Sequence, residues 1–339
     1  MYTFIRHLLF LFDAETIHVF SLKILSFTHS IGLLRLLLPR HIDAPITVMG
    51  IEFSNAVGLA AGLDKNAKYI DALASCGFGF IEVGTVTPLA QAGNDRPRLF
   101  RLVSDNAIIN RMGFNNDGVA ALVSHVRQRK NNCVLGINIG KNKTTPLENA
   151  VDDYLICMQE VYVHADYITI NISSPNTPGL RELQHGEGLT DLLTQLKNKQ
   201  LELNQQYKRY VPLAVKIAPD LIDEEITDIA QRVLSAQIDA LIATNTTNSR
   251  PDKLLCKSVA EETGGLSGAP VFDISTSVLK KFADALDNKI PIIAAGGISS
   301  AEDAVKKIQA GASLVQVYTG FIYSGPTLIQ QCALALKKR

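Results

Sequence analysis

No residue class in this chain has the excess or the spacing that marks nucleic-acid, metal or disulfide chemistry. Lys plus Arg and Asp plus Glu both number 33 in 339 residues, so no global basic charge is offered to a nucleic acid. The five cysteines, Cys76, Cys133, Cys157, Cys256 and Cys332, include no Cys-x-x-Cys and no Cys/His cluster. That argues against structural zinc and a disulfide framework, and suits a reducing compartment. The seven histidines show no His-Glu-x-x-His spacing, so no metal is expected. No apolar run approaches the roughly 20 residues that span a bilayer. There is no signal-peptide pattern, no low-complexity tract and no short-period repeat. What is present is a 47% hydrophobic, 19% charged composition, enough for a large core and contrary to disorder. The length fits two ordinary domains or one α/β barrel of about 250 residues with insertions.

Residues 1–40 differ from the rest. They are rich in Leu, Phe and Ile but broken by charge at Arg6, Asp13, Glu15, Lys23 and Arg35. Ile5, Leu8, Leu9 and Phe12 follow helical spacing. Ile17, Phe20, Ile24 and Phe27 continue it beyond Asp13, a residue type that caps helices, and a third apolar group ends at Pro39. Two readings stand. One is a pair of helices packed on the main domain; the other is a small module, residues 1–40, whose apolar face lies in a membrane interface.

Residues 41–339 read as a (β/α)8 barrel of the α/β class. Apolar runs at 57–60, 80–83, 134–137, 167–170, 213–216, 240–243, 291–294 and 313–317 alternate with helical stretches such as 224–234 and 301–309. Such alternation calls for right-handed crossovers and a parallel sheet, and eight strands suggest closure. The long interval 85–116 is expected to leave the barrel as loops and a hairpin, and 245–270 is similarly loop-rich.

In such a barrel the active site is built from the C-terminal strand ends. Here they carry Ala61-Gly62-Leu63-Asp64-Lys65, Thr85, Asn138, Asn171, Lys216, Thr244-Asn245-Thr246, Gly296-Gly297 and Tyr318-Thr319-Gly320. The fourth runs into Asn171-Ile172-Ser173-Ser174-Pro175-Asn176, where amides and a hydroxyl sit in a proline-stiffened loop. Amides, hydroxyls and two lysines, with no carboxylate pair, suit a planar polar heterocycle better than hydrolysis or metal chemistry. The seventh and eighth ends stand where barrels bind phosphate through backbone N–H groups, so a flavin mononucleotide, a nucleotide or a sugar phosphate is expected. Lys216 reads as a snorkelling side chain, as a fixed cation beside a cofactor, or as a Schiff-base lysine.

Together, Gly58-Leu59-Ala60-Ala61-Gly62-Leu63-Asp64-Lys65, Asn110-Arg111-Met112-Gly113-Phe114-Asn115, Asn171 to Asn176 and Gly264-Gly265-Leu266-Ser267-Gly268 resemble the dihydroorotate dehydrogenases over essentially the whole chain. The N-terminal helices, and Ser174 where the other class carries cysteine, resemble the bacterial quinone-dependent class. The resemblance implies one FMN on Ala61, Gly62, Leu63, Asp64, Lys65, Thr85, Asn138, Asn171, Lys216 and Thr244, with its phosphate on Gly268, Gly297, Tyr318 and Thr319. Dihydroorotate would be held by Lys65, Asn110, Arg111, Met112, Gly113, Phe114, Asn171, Asn176, Asn245 and Thr246. Ser174 would take a proton from C5 while a hydride leaves C6 for the flavin; beyond the resemblance, a serine is a poor base unaided, so relay through Thr177 and water is expected. Ubiquinone or menaquinone would reoxidise the flavin near His18 and Arg101. The resemblance further implies a monomer, peripheral on the cytoplasmic face of a bacterial inner membrane and serving pyrimidine biosynthesis. The rivals are a fumarate- or NAD-linked relative, an aldolase-type barrel using Lys216 covalently, and a non-catalytic membrane-associated binding protein.

Overall fold

The computed structural model describes residues 2–338. Three helices come first: α1 (Tyr2–Leu9), α2 (Ala14–Ser30) and α3 (Leu34–Leu37). Asp13 caps α2 as its position suggests, its carboxylate accepting from the Thr16 N–H at 2.8 Å. The side chains that α2 buries are Leu22 and, unexpectedly for a Leu- and Phe-rich helix, Glu15. Arg98 grips the Glu15 carboxylate at 2.7 and 3.0 Å, and Arg96 adds a third contact at 3.0 Å. The apolar stripe points the other way. Phe4, Leu8, Leu11, Phe12, Phe20, Ile24 and Phe27 are all exposed. The helices therefore dock through this ion pair together with Leu22, Leu25 and Leu34, and present most of their remaining hydrocarbon to solvent. No helix among the described residues is long and apolar enough to cross a membrane.

A hairpin that the sequence reading passed over follows, β1 (Ile46–Val48) and β2 (Ile51–Phe53). Then come β3 (Val57–Leu59), β4 (Phe80–Val86), β5 (Leu99–Leu102), β6 (Ala107–Asn110), β7 (Val134–Ile139) and β8 (Tyr167–Asn171). The remainder are β9 (Leu213–Ile217), β10 (Ala240–Ala243), β11 (Gly265–Gly268), β12 (Ile292–Ala295) and β13 (Leu314–Val317). Eight of these close a parallel barrel in the order β3-β4-β7-β8-β9-β10-β12-β13. They are the eight apolar runs read from the sequence. Each is buried along nearly its whole length, which is why it reads as continuous hydrocarbon rather than an alternation.

The barrel is packed at one end and hollow at the other. At the N-terminal ends of the strands, Phe80, Tyr167, Ala240 and Leu314 fill the interior, and Val48 and Phe53 of the hairpin plug it from below. The two large rings fit because glycines oppose them: a Cβ at Gly58 or Gly136 would stand 2.2 Å from the ring of Phe80 or Tyr167. At the opposite end, the expected excursion forms the antiparallel pair β5–β6, and β11 joins it to make a three-stranded sheet. A small core of its own, including Leu102, Ile109, Leu254 and Leu266, keeps this sheet in place over the strand ends.

Candidate functional site

The C-terminal strand ends and the β5–β6–β11 sheet enclose a cavity with an empty volume of about 1270 Å³, part of it open to solvent. Ala61, Gly62, Lys65, Thr85, Asn171, Ser174, Lys216, Thr244, Asn245 and Thr246 line it from the barrel side. Asn110, Met112, Gly113, Phe114, Asn176 and Gly268 line it from the excursion and its neighbouring loop, and Gly297, Tyr318 and Thr319 complete one end. His18 of α2 reaches the same space. Positions scattered over some 300 residues of sequence thus face a single space.

Five of the sequence candidates face elsewhere. Leu63 is in the hydrophobic core. The Asp64 carboxylate accepts from the backbone N–H groups of Lys68 and Tyr69 at 3.0 and 2.7 Å, which is a turn cap. Asn138 lies beneath the cavity wall, accepting from Thr85 Oγ1 at 2.5 Å and Asn171 Nδ2 at 3.1 Å. Arg111 turns outward to Glu262 at 2.6 Å, its guanidinium 4.5 Å from the centre of the Phe100 ring. Arg101 sits at the N-terminal helices, 4.5 Å from the Phe10 ring and donating to the Phe12 carbonyl.

The amides are held rigidly. Asn171 donates to Thr85 Oγ1 at 2.9 Å, and its own oxygen accepts from Ser173 Oγ at 3.1 Å and Asn245 Nδ2 at 3.4 Å. Asn245 also donates to Ser173 Oγ at 2.9 Å. Across the cavity mouth, Asn176 donates to the Asn110 carbonyl at 3.1 Å, fastening the Ser174 loop to β6. The Ser174 hydroxyl accepts only a long contact from the Asn176 N–H, at 3.3 Å. Thr177 Oγ1, three residues on, is buried with no partner in the protein.

Charge in the cavity is positive. Burial lowers the pKa of Lys216, opposed by the negative charge of Glu82. Burial pulls Lys65 down to about 8, with Arg98 pushing the same way and Glu15 opposing. Its ammonium donates to Asn115 Oδ1 at 2.8 Å. Burial, with the charge of Lys65, takes His18 down to about 4, so its imidazole is neutral at pH 7.

Beneath the cavity, behind Gln316, lies a carboxylate that no sequence motif flags. Glu82 is fully buried, accepting from Asn138 Nδ2 at 2.8 Å, Gln316 Nε2 at 2.7 Å and the Tyr167 hydroxyl at 2.9 Å. Its negative charge opposes the lowering of the Lys216 pKa without touching the ammonium. The signal was available: a lone carboxylate inside the apolar run Phe80–Val83 must find partners when buried. At the far end, Gly297 has φ of 79° and packs so closely that a Cβ would stand 2.3 Å from Phe272 Cα. Backbone there can approach an anion where no other residue fits. A phosphomonoester therefore suits this end, and a polar heterocycle the amide-lined centre.

Residues 44–339 match the family model described as dihydroorotate dehydrogenase. The chain is 59% identical over 330 residues to the dihydroorotate dehydrogenase (quinone) of Idiomarina loihiensis, covering 97% of this chain and 98% of that protein. It is 55% identical over 336 residues to the protein so named in Acinetobacter baylyi, covering 99% of each. Among solved structures, DHODH from Eimeria tenella in complex with ferulenol superposes with a TM-score of 0.86 at 40% identity, over 94% of this chain and 90% of that one. The ligand-free form from the same organism gives 0.84 at 40% identity, over 94% and 93%.

Proposed function

Because the chain belongs to the dihydroorotate dehydrogenase family, a family of flavin-dependent oxidoreductases, we propose that it oxidises dihydroorotate to orotate and delivers the electrons to a membrane quinone. FMN is the flavin in this reading, since the cavity pairs an amide-lined centre with a glycine-backbone end suited to one phosphate. Bound there, FMN would supply the hydride acceptor. Ala61, Gly62, Thr85, Asn171, Lys216 and Thr244 would hold its ring system, and Gly268, Gly297, Tyr318 and Thr319 its phosphate. Asn138 acts from beneath, by fixing Thr85 and Asn171.

The chain's own residues divide the remaining work. Asn110, Asn171, Asn176 and Asn245 present donors and acceptors to the edge of a pyrimidine, and Lys65 pairs with its carboxylate. Ser174 takes the C5 proton. A serine hydroxyl is a weak base unaided, and the unpartnered Thr177 Oγ1 is free to pass that proton on through water. Lys216 keeps a positive charge against the cavity centre, where negative charge develops. His18 is neutral and faces the cavity from α2, so it offers a hydrogen bond to a quinone without a charge. Residues 1–40 form the membrane-facing module in this reading, and Arg101 stands at its edge. The exposed apolar faces of α1 and α2 would make the chain a peripheral membrane monomer.

The observation that carries the reading is the convergence of four asparagines, two lysines and Ser174 on one cavity. Ser174→Ala tests it. Flavin reduction by dihydroorotate should slow by about 10²- to 10⁴-fold, the usual range for a lost general base, with flavin content unchanged. An unaltered rate would remove Ser174 from the mechanism, and mass analysis of the released chromophore decides whether it is FMN.

A further inference from the structure

Lys307 belongs to no step described above, yet it is fully buried. It lies on the helix Ala301–Gln309, and its ammonium donates to Ser275 Oγ on the neighbouring helix Phe272–Leu286 at 2.6 Å. The ammonium also stands 5.0 Å from the centre of the Phe272 ring. The acidic groups that act on it are Asp303 and Asp273, and both are engaged elsewhere. Asp303 accepts from the Ser299 N–H at 3.0 Å and hydroxyl at 2.9 Å, and Asp273 faces Lys253 at 3.4 Å. Burial outweighs them and brings Lys307 down to about 7. A buried cation without a close counter-ion is costly, and the cost is offset where an anion faces it.

The contacts of Ser275 show where such an anion would be. Its hydroxyl, accepting from Lys307, lies 3.0 Å from the Gly296 carbonyl and 3.1 Å from that of Phe272. Gly296 and Gly297 line one end of the cavity, and Gly297 abuts Phe272. Ammonium, hydroxyl and diglycine turn are one connected unit, with the cation directly behind the turn.

We propose that Lys307 is a positioning residue for the phosphate of the flavin: through Ser275 it fixes the Gly296–Gly297 turn, and its charge balances the phosphomonoester across that turn. The proposal rests on the FMN reading above. It is tested by titrating flavin-stripped full-length protein with FMN and with riboflavin, which lacks the phosphate, and following flavin fluorescence. Lys307→Met should raise the Kd for FMN about tenfold and leave that for riboflavin within twofold. Ser275→Ala, which keeps the cation but breaks the link, should weaken FMN alone by about threefold. Equal weakening of both flavins by Lys307→Met would make the residue merely structural and overturn the proposal, as would unchanged FMN affinity. If the wild-type protein itself fails to prefer FMN over riboflavin, the cofactor assignment falls first, and this inference with it.

Discussion

Replacing Glu82 with Gln keeps the packing beneath the cavity and removes a negative charge. The carboxylate accepts from Asn138 on one oxygen and from Tyr167 and Gln316 on the other. An amide accepts on one side only, so one set of donors would meet an N–H. Gln316 can turn to satisfy it, because its Oε1 is buried without a partner, and the Tyr167 hydroxyl can rotate to accept. The hydrogen bonds therefore largely re-form, and the lost charge is what remains. Lys216, buried in the same barrel, loses the negative charge that acts on it, but the two groups are not in ion-pair contact, so the cost lies below the about 3–5 kcal/mol of a broken buried pair. Lys216 can relieve part of this by releasing its proton, which places the expected loss at pH 7 at about 1–2 kcal/mol, the scale of lost hydrogen bonds to a charged group. The sign with pH follows from burial. Lys216 already has a lowered pKa in the folded state, and losing Glu82 lowers it further. Between these two folded values the variant gains stability with rising pH while the wild type does not, so the deficit should shrink as pH rises. Urea unfolding at several pH values measures both. No measurable deficit, or one that widens with pH, would refute the electrostatic coupling of Glu82 to Lys216.

Three further outcomes follow from other contacts. Glu15→Gln should cost about 3 kcal/mol and expose residues 1–40 to proteolysis, because Arg98 and Arg96 lose their shared partner. In the wild type, burial raises the Glu15 pKa, but Arg98, Arg96 and Lys65 outweigh it and hold the carboxyl below 4.5. Its stabilisation is thus complete above 4.5 and lost as pH falls through the lowered value, so the helices should loosen in acid; unchanged protease resistance below that pH would contradict this. If Lys65 binds the substrate carboxylate, kcat/KM for dihydroorotate should fall as pH rises through about 8, and a profile flat to pH 9 would exclude that role. Changing Leu8, Leu11 and Phe12 together to Gln removes apolar side chains that are 49%, 79% and 62% exposed. Each is worth about 1.5–3 kcal/mol when fully buried, so even partial insertion predicts at least a hundredfold loss of vesicle binding. Flavin reduction by dihydroorotate should be untouched; retained vesicle binding would show that these faces are not the contact.

The barrel was legible in the sequence because its strands are buried on both faces and read as unbroken hydrocarbon. The hairpin Ile46–Phe53 was not, since three-residue strands leave too little pattern to register. β11 escaped because glycines occupy both its ends, and its pairing with β6 spans more than 150 residues. The helical spacing before residue 40 was clear, but spacing alone does not say which way a stripe faces. Here Glu15 and Leu22 face inward, while Phe4, Phe12, Phe20 and Phe27 are outside. At the site, residue chemistry identified the amides and lysines, while side-chain direction stayed hidden. Asp64 and Arg111 have suitable groups, yet one is spent on a turn and the other on Glu262. Glu82 and Lys307, conversely, carry charge in places where an apolar or helical pattern drew no attention to it.

Anaerobic mixing of the purified protein with dihydroorotate, followed through the flavin absorbance, tests the central claim most directly. Bleaching by dihydroorotate, with colour restored by a soluble quinone and not by fumarate or NAD⁺, is the predicted result. A flavin that dihydroorotate leaves oxidised, or one that fumarate restores as readily as quinone, would contradict it.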